Sequence, residues 1–114
     1  MKAEPSDIRR AASIFKVLSH PHRLRIACQL SDGRCTTQKE LVEELGWPQS
    51  TMARHLSALR DLGLIKATRR GQEVQLELGS PVTRQLLEAV CVWVHPETGE
   101  RFTGSFEMAA TGQV

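Results

Sequence analysis

The apolar positions of the chain fall into five helical stretches and one short alternating stretch. From Ser6 onward Ile8, Ala11, Ala12, Phe15 and Leu18 recur at helical spacing, with Arg9, Arg10, Ser13 and Lys16 mostly on other faces, which predicts a first amphipathic helix. Ser19-His20-Pro21-His22 breaks it. Pro21 suits the first turn of a second helix carrying Leu24, Ile26, Ala27 and Leu30, which Asp32-Gly33 closes. Thr37 and Glu40 stand at capping-box spacing ahead of Leu41, Val42 and Leu45, so a short third helix starts there and stops at Gly46. Beyond Gly46-Trp47-Pro48, Met52, Leu56 and Leu59 line one side of a fourth helix that runs to Leu62, where Gly63 can take a left-handed cap.

Two strands follow, Leu64 to Thr68 and Glu73 to Leu78. In the second, Val74, Leu76 and Leu78 alternate with Glu73, Gln75 and Glu77. Arg69-Arg70-Gly71-Gln72 reads as a basic hairpin turn between them. Ser80-Pro81 reads as cap and first residue of a last helix, with Leu86, Leu87, Val90, Cys91 and Val94 as its stripe and an end near His95-Pro96. The expectation is one domain over 1–96 and a flexible C-terminal tail over 97–114, in which Phe102 and Phe106 alone offer packing groups.

Composition changes this picture little. The 114 residues are 40% apolar, 25% charged and only 4% aromatic, so a small aliphatic core is expected, and a chain this short gains from a partner subunit. A net charge of +2 does not argue for nucleic acid by itself. Its distribution does. Between Gln49 and Gln72 stand Arg54, Arg60, Lys66, Arg69 and Arg70 against Asp61 alone, a basic stretch suited to phosphate. The charged N-terminus has no apolar targeting core, and no apolar run reaches the ~20 residues of a membrane span, so no membrane role is expected and the cytoplasm is the expected location.

A short capped helix, a glycine turn, a second helix opening on small polar residues and then a basic hairpin is the order of a winged helix-turn-helix. The fold class expected is mainly α, five helices with a two-stranded wing. The major groove, about 12 Å wide, admits one α-helix, and side chains near that helix's N-terminal end reach base edges. With the core side at Met52, Leu56 and Leu59, a step of roughly 100° per residue turns Ser50, Arg54, Ser57 and Asp61 outward. The candidate DNA contacts are therefore Gln49, Ser50, Thr51, Arg54, His55 and Ser57 in the helix, and Arg69 and Arg70 in the wing. Arg54, whose fork can engage both guanine acceptors, is the foremost of them. Taken singly, each is also an ordinary solvated residue; their joint placement favours the interface.

The segments Leu18-Ser19-His20-Pro21-His22-Arg23-Leu24-Arg25-Ile26, Glu40-Leu41-Val42-Glu43-Glu44-Leu45-Gly46 and Gln49-Ser50-Thr51-Met52-Ala53-Arg54-His55-Leu56-Ser57-Ala58-Leu59-Arg60 resemble the ArsR/SmtB family of bacterial repressors, as do Leu62-Gly63-Leu64-Ile65 and Arg69-Arg70-Gly71. The resemblance covers about residues 10–94. It implies a homodimer joined through the first and last helices, and two recognition helices reading a palindromic operator near a promoter. The apolar stripes of those two helices, in a chain short of core, independently call for a cover.

Metal-sensing members of that family carry a Cys-x-Cys pair where this chain has Thr37-Gln38-Lys39. The zinc-ligand set of other members is likewise missing from the last helix, where Arg84, Gln85, Leu87 and Glu88 stand. His20 and His22, with Cys35 or His95, lack ligand spacing, so neither metal nor cofactor is expected. The three cysteines, Cys28, Cys35 and Cys91, form no disulfide framework. Cys28 matches a position used by thiol-based sensors of the family, and Cys91 lies about one turn before their second cysteine. The pair is either a redox switch or two small buried hydrophobes. Trp47 reads as a packing anchor and Trp93 as a dimer contact. Nucleotide-binding glycine loops, nucleophile motifs and paired carboxylates are absent, which leaves enzyme as the weakest class. The rival reading is a winged helix that binds protein without DNA, which would expose an apolar rather than a basic face.

Overall fold

The structure, a computed structural model, describes residues 4–31 and 36–98. Eight elements follow one another: α1 (Pro5–Leu18), α2 (Pro21–Leu30), β1 (Thr36–Thr37), α3 (Gln38–Leu45), α4 (Gln49–Asp61), β2 (Ile65–Arg70), β3 (Glu73–Leu78) and α5 (Pro81–Val94). The five expected helices are all present. The expected two-stranded wing is present as β2 and β3, and a further two-residue strand extends its sheet: β1 adds to β3 with Thr36 opposite Leu76 and Thr37 opposite Gln75, so the antiparallel order is β1-β3-β2. Asp32, Gly33, Cys35 and residues 99–114, with Phe102 and Phe106, lie outside the described residues.

Local chemistry sets the boundaries. Asp7 Oδ2 accepts from the backbone N–H of Glu4 at 3.0 Å, and Pro5 opens α1 with the φ a first turn needs. His20 caps α2 through Nδ1, which accepts from the N–H of His22 at 3.1 Å. Thr37 caps α3: its Oγ1 accepts from the N–H of Glu40 at 3.1 Å, and its hydroxyl lies 3.1 Å from Glu40 Oε1. The Glu40 carboxylate thus turns to the Thr37 and Thr36 hydroxyls, at 3.1 and 3.2 Å. Ser80 stands at the N-cap of α5 without a side-chain cap bond.

The wing is longer than its sequence pattern predicts. Arg69 and Arg70 belong to β2, opposite Val74 and Glu73, and only Gly71 and Gln72 make the turn. At the base of the hairpin the backbone of Gly79 lies against that of Gly63. A Cβ on Gly79 would sit 1.9 Å from the Gly63 carbonyl oxygen, while Gly79 N–H donates to Leu64 O at 2.9 Å. Only glycine fits there.

One core joins the elements. Ile26 and Leu30 of α2, Leu41 of α3, Met52 and Leu59 of α4, Ile65 of β2 and Leu76 of β3 are fully buried. The outer helices contribute little, since α1 buries only Leu18, and α5 only Thr83, Leu87 and Cys91. Ile8, Phe15, Val82, Val92, Trp93 and Val94 remain exposed.

Candidate nucleic-acid interface

The geometry begins at the turn between α3 and α4. Gly46, in the left-handed conformation at φ +68°, ends α3, and its N–H donates to Val42 O at 2.9 Å. Pro48 is the N-cap of α4 and has no side-chain acceptor, so no side chain caps the first-turn N–H groups of α4. Such an end, rich in unpaired N–H and in positive dipole, suits a phosphate. Met52, Leu56 and Leu59 hold the opposite face of α4 in the core, and α4 packs against β2.

Gln49, Ser50 and Arg54 are exposed; Thr51 and Ser57 are half-buried at the edge of the same helix. Arg69 and Arg70 are exposed at the end of β2, next to the turn of the wing. His55 does not stand with them, which corrects the expectation from sequence. It is 2% exposed, its Nδ1 accepts from Arg23 Nε at 3.2 Å, and its ring centroid lies 4.5 Å from that of His20. Position 55 lies three residues after Met52 and four before Leu59, so the helical period itself puts it on the core stripe.

Behind α4, four rings meet. His22 stacks on Trp47 at 3.9 Å with an interplanar angle of 18°, and the centroid of His22 is 5.4 Å from those of His20 and His55. Trp47 is thus the packing anchor its position suggested. Burial, followed by its three cationic or imidazole neighbours and Arg54, pushes the His55 pKa down to about 4. Burial, and then Arg23 and Arg54, also lowers that of His20, and burial followed by His20 lowers that of His22. One ring nitrogen from each of His20, His22 and His55 lies within 4.8 Å of the other two. Sequence spacing gave no sign of this group, because His55 reaches the pair only through the packing of α2 on α4.

Cys28 and Cys91 are both buried, at 6% and 4% exposure, and neither is in a disulfide. Burial, and then the neighbouring Cys91, pushes the Cys28 thiol up to about 12.

A helix-turn-helix domain family matches residues 18–67. The HTH-type transcriptional regulator YgaV of Escherichia coli is 40% identical over 65 residues, 57% of this chain and 66% of its own length. The biofilm growth-associated repressor of Xylella fastidiosa is 32% identical over 79 residues, covering 69% of this chain and 68% of that protein. Among solved structures, reduced HlyU of Vibrio cholerae superposes with a TM-score of 0.68 at 28% identity, over 75% of this chain and 88% of that one. Among the described residues, no helix is long and apolar enough to cross a membrane.

Proposed function

The chain belongs to the ArsR family of winged helix-turn-helix DNA-binding transcriptional regulators, and from that premise we propose that it works as a homodimeric repressor whose two α4 helices enter successive major grooves of a palindromic operator. The observation that carries this reading is the start of α4: uncapped, exposed and polar at Gln49 and Ser50, with Arg54 one turn on, while the reverse side is locked in the core. Gln49, Ser50, Thr51, Arg54 and Ser57 are assigned to the groove, Arg69 and Arg70 to the flanking phosphates or minor groove. The exposed apolar residues of α1 and α5 are assigned to the subunit interface, and a regulator of this kind acts in the cytoplasm, where its operator is.

The test is fluorescence anisotropy with a duplex spanning the chain's own promoter, at two salt concentrations. Tight binding that weakens steeply with salt is expected, because Lys and Arg contacts release condensed counterions. Absence of binding to any duplex, or binding without a salt slope, favours the protein-binding module instead.

A thiol response is a second, finer reading, supported by two free thiols, Cys28 on α2 and Cys91 on α5, and by the likeness to a protein solved in a reduced form. Linking them takes two electrons and two protons from the thiols to an oxidant such as a polysulfide. Mass spectrometry after mild oxidation is expected to find the pair joined, with operator affinity lowered more than about fivefold. An oxidant response that survives in Cys28→Ser excludes the switch.

A further inference from the structure

His22 presents an unresolved cost. It is 8% exposed, its ring lies flat on Trp47, and its Nδ1 is buried without a hydrogen-bond partner. A phenyl ring would fill the same space against the indole with no polar atom to desolvate. An imidazole there, with two others alongside, is chemically suited to a metal ion, whose bond replaces the missing hydrogen bond. We propose that His20, His22 and His55 form a binding site for a divalent transition ion of the imidazole-preferring class, zinc foremost, set between the start of α2 and the recognition helix.

The geometry needs only a small closure. One nitrogen from each ring already lies within 4.8 Å of the others. A tetrahedral ion with bonds of ~2.0–2.1 Å holds its nitrogens about 3.4 Å apart, so from separations of up to 4.8 Å the rings close by at most about 1.4 Å. Three protein ligands leave a fourth position, and the half-buried His20 is the member on the solvent side from which the ion and a water enter. The rings are held neutral in this environment, which is the ligand form. Arg23 and Arg54 act on the same rings, so the ion enters against positive charge. That disfavours hard, weakly held cations such as magnesium and leaves those with strong bonds to nitrogen.

Lone-pair accounting gives the site a consequence. A neutral imidazole has one N–H and one lone pair. The lone pair of His20 Nδ1 accepts from the His22 N–H, and that of His55 Nδ1 accepts from Arg23 Nε. A metal bound at either Nδ1 displaces its donor. A metal bound at Nε2 moves the ring proton onto Nδ1, which then no longer accepts. Either way, loading exchanges the α2 cap bond and the Arg23–His55 bond for metal bonds. Arg23 is therefore a competitor of the ion, both as donor and as charge.

The test uses the full chain, stripped with a chelator. Zinc is titrated against a chromophoric chelator, and cobalt(II) is followed by its visible absorption. One ion per chain is expected, with the visible bands of tetrahedral cobalt and no thiolate charge-transfer band. His20→Asn keeps a cap acceptor and His22→Phe keeps the ring on Trp47, so both are expected to fold, which thermal melts check. Each is expected to weaken zinc binding about tenfold or more, whereas Arg23→Gln strengthens it. Lack of uptake by the wild type, a thiolate band, or wild-type affinity in both histidine variants overturns the site. Unchanged affinity in Arg23→Gln overturns the ligand exchange. Uptake is read without DNA, so its failure leaves the DNA-binding reading standing, and the failure of DNA binding leaves the site standing.

Discussion

On the proposed function Arg54 and the wing arginines meet the same duplex in two different capacities, and substitution separates them. Arg54 is exposed one turn into a helix whose other face is immobilised, and the proposal gives its guanidinium two acceptors on one base. Arg54→Ala is expected to cost about 1–3 kcal/mol on the operator and to relax the base preference at one position in each half-site, read by anisotropy across a set of single-base operator variants. Arg69→Ala and Arg70→Ala are expected to weaken all duplexes alike and to reduce the salt slope by about one for every phosphate that no longer meets an arginine. Cys28 makes a prediction of a different kind. A thiol held at about 12 keeps its proton while the unfolded chain loses its own near the ordinary value of 9.0, so between those values the unfolded state binds fewer protons. Stability is therefore expected to fall as pH rises from about 9 toward 12, and Cys28→Ala to flatten that part of the profile in urea melts. The same protonation makes alkylation of Cys28 slow at neutral pH in the folded chain, since the thiolate is the nucleophile.

The elements differ in how far the sequence discloses them, for reasons that lie in the range of the interactions. Helices α1, α2, α4 and α5 announce themselves through a 3.6-residue period, and the last three also through Pro21, Gly63 and Pro81 at their ends, all of which act within one turn. Strand β1 has two residues and no period, and it exists only because β3 offers it an edge. The first strand of the wing outruns its sequence pattern by two residues, as Arg69 and Arg70 look like turn residues until their cross-strand partners Val74 and Glu73 are known. The outward face of α4 is legible from the helical wheel, except that His55 is a polar residue in the first two turns whose position nonetheless falls on the buried stripe. Its neighbours His20 and His22 are more than 30 residues away in sequence, beyond any local pattern. The junction of wing and core gives this scale its prediction. Gly79→Ala places a methyl group against backbone on a segment that is hydrogen-bonded to Leu64, with no flexible side chain to yield. A loss of about 3 kcal/mol or more is expected, seen as a fall of roughly 10 °C or more in Tm. Arg69→Ala, on the same hairpin but exposed, leaves Tm in place and isolates the cost to the junction.

At the scale of the whole molecule the unbalanced feature is the pair of outer helices. On α5, Val82, Leu86, Val90 and Trp93 follow one another at helical spacing, and Trp93 is 87% exposed; on α1, Ile8 and Phe15 stand two turns apart at 63% and 62%. A shallow apolar hollow of about 200 Å³, lined by Phe15, Leu18, Leu24, Leu86, Leu87 and Val90, lies where the two helices meet the body. Solvated faces of this kind are rare on monomers, and a two-fold contact that buries both helices of each subunit removes them at once. A large aromatic at the centre of such a contact typically accounts for about 2 kcal/mol or more, or roughly 30-fold in the dissociation constant. Trp93→Glu combined with Phe15→Glu removes two anchors and adds like charges, so sedimentation at micromolar concentration is expected to move from dimer to monomer. Both positions are exposed within one chain, so the melting of the isolated subunit should not suffer from the loss of core packing. The operator then supplies the decisive comparison. A duplex with two half-sites is expected to lose most of its advantage over a duplex with one, while the single half-site binds the variant as weakly as it binds the wild type. A monomeric wild type overturns the dimer itself, whereas a double variant that still sediments as a dimer places the contact elsewhere and separates the paired-groove geometry from the outer helices.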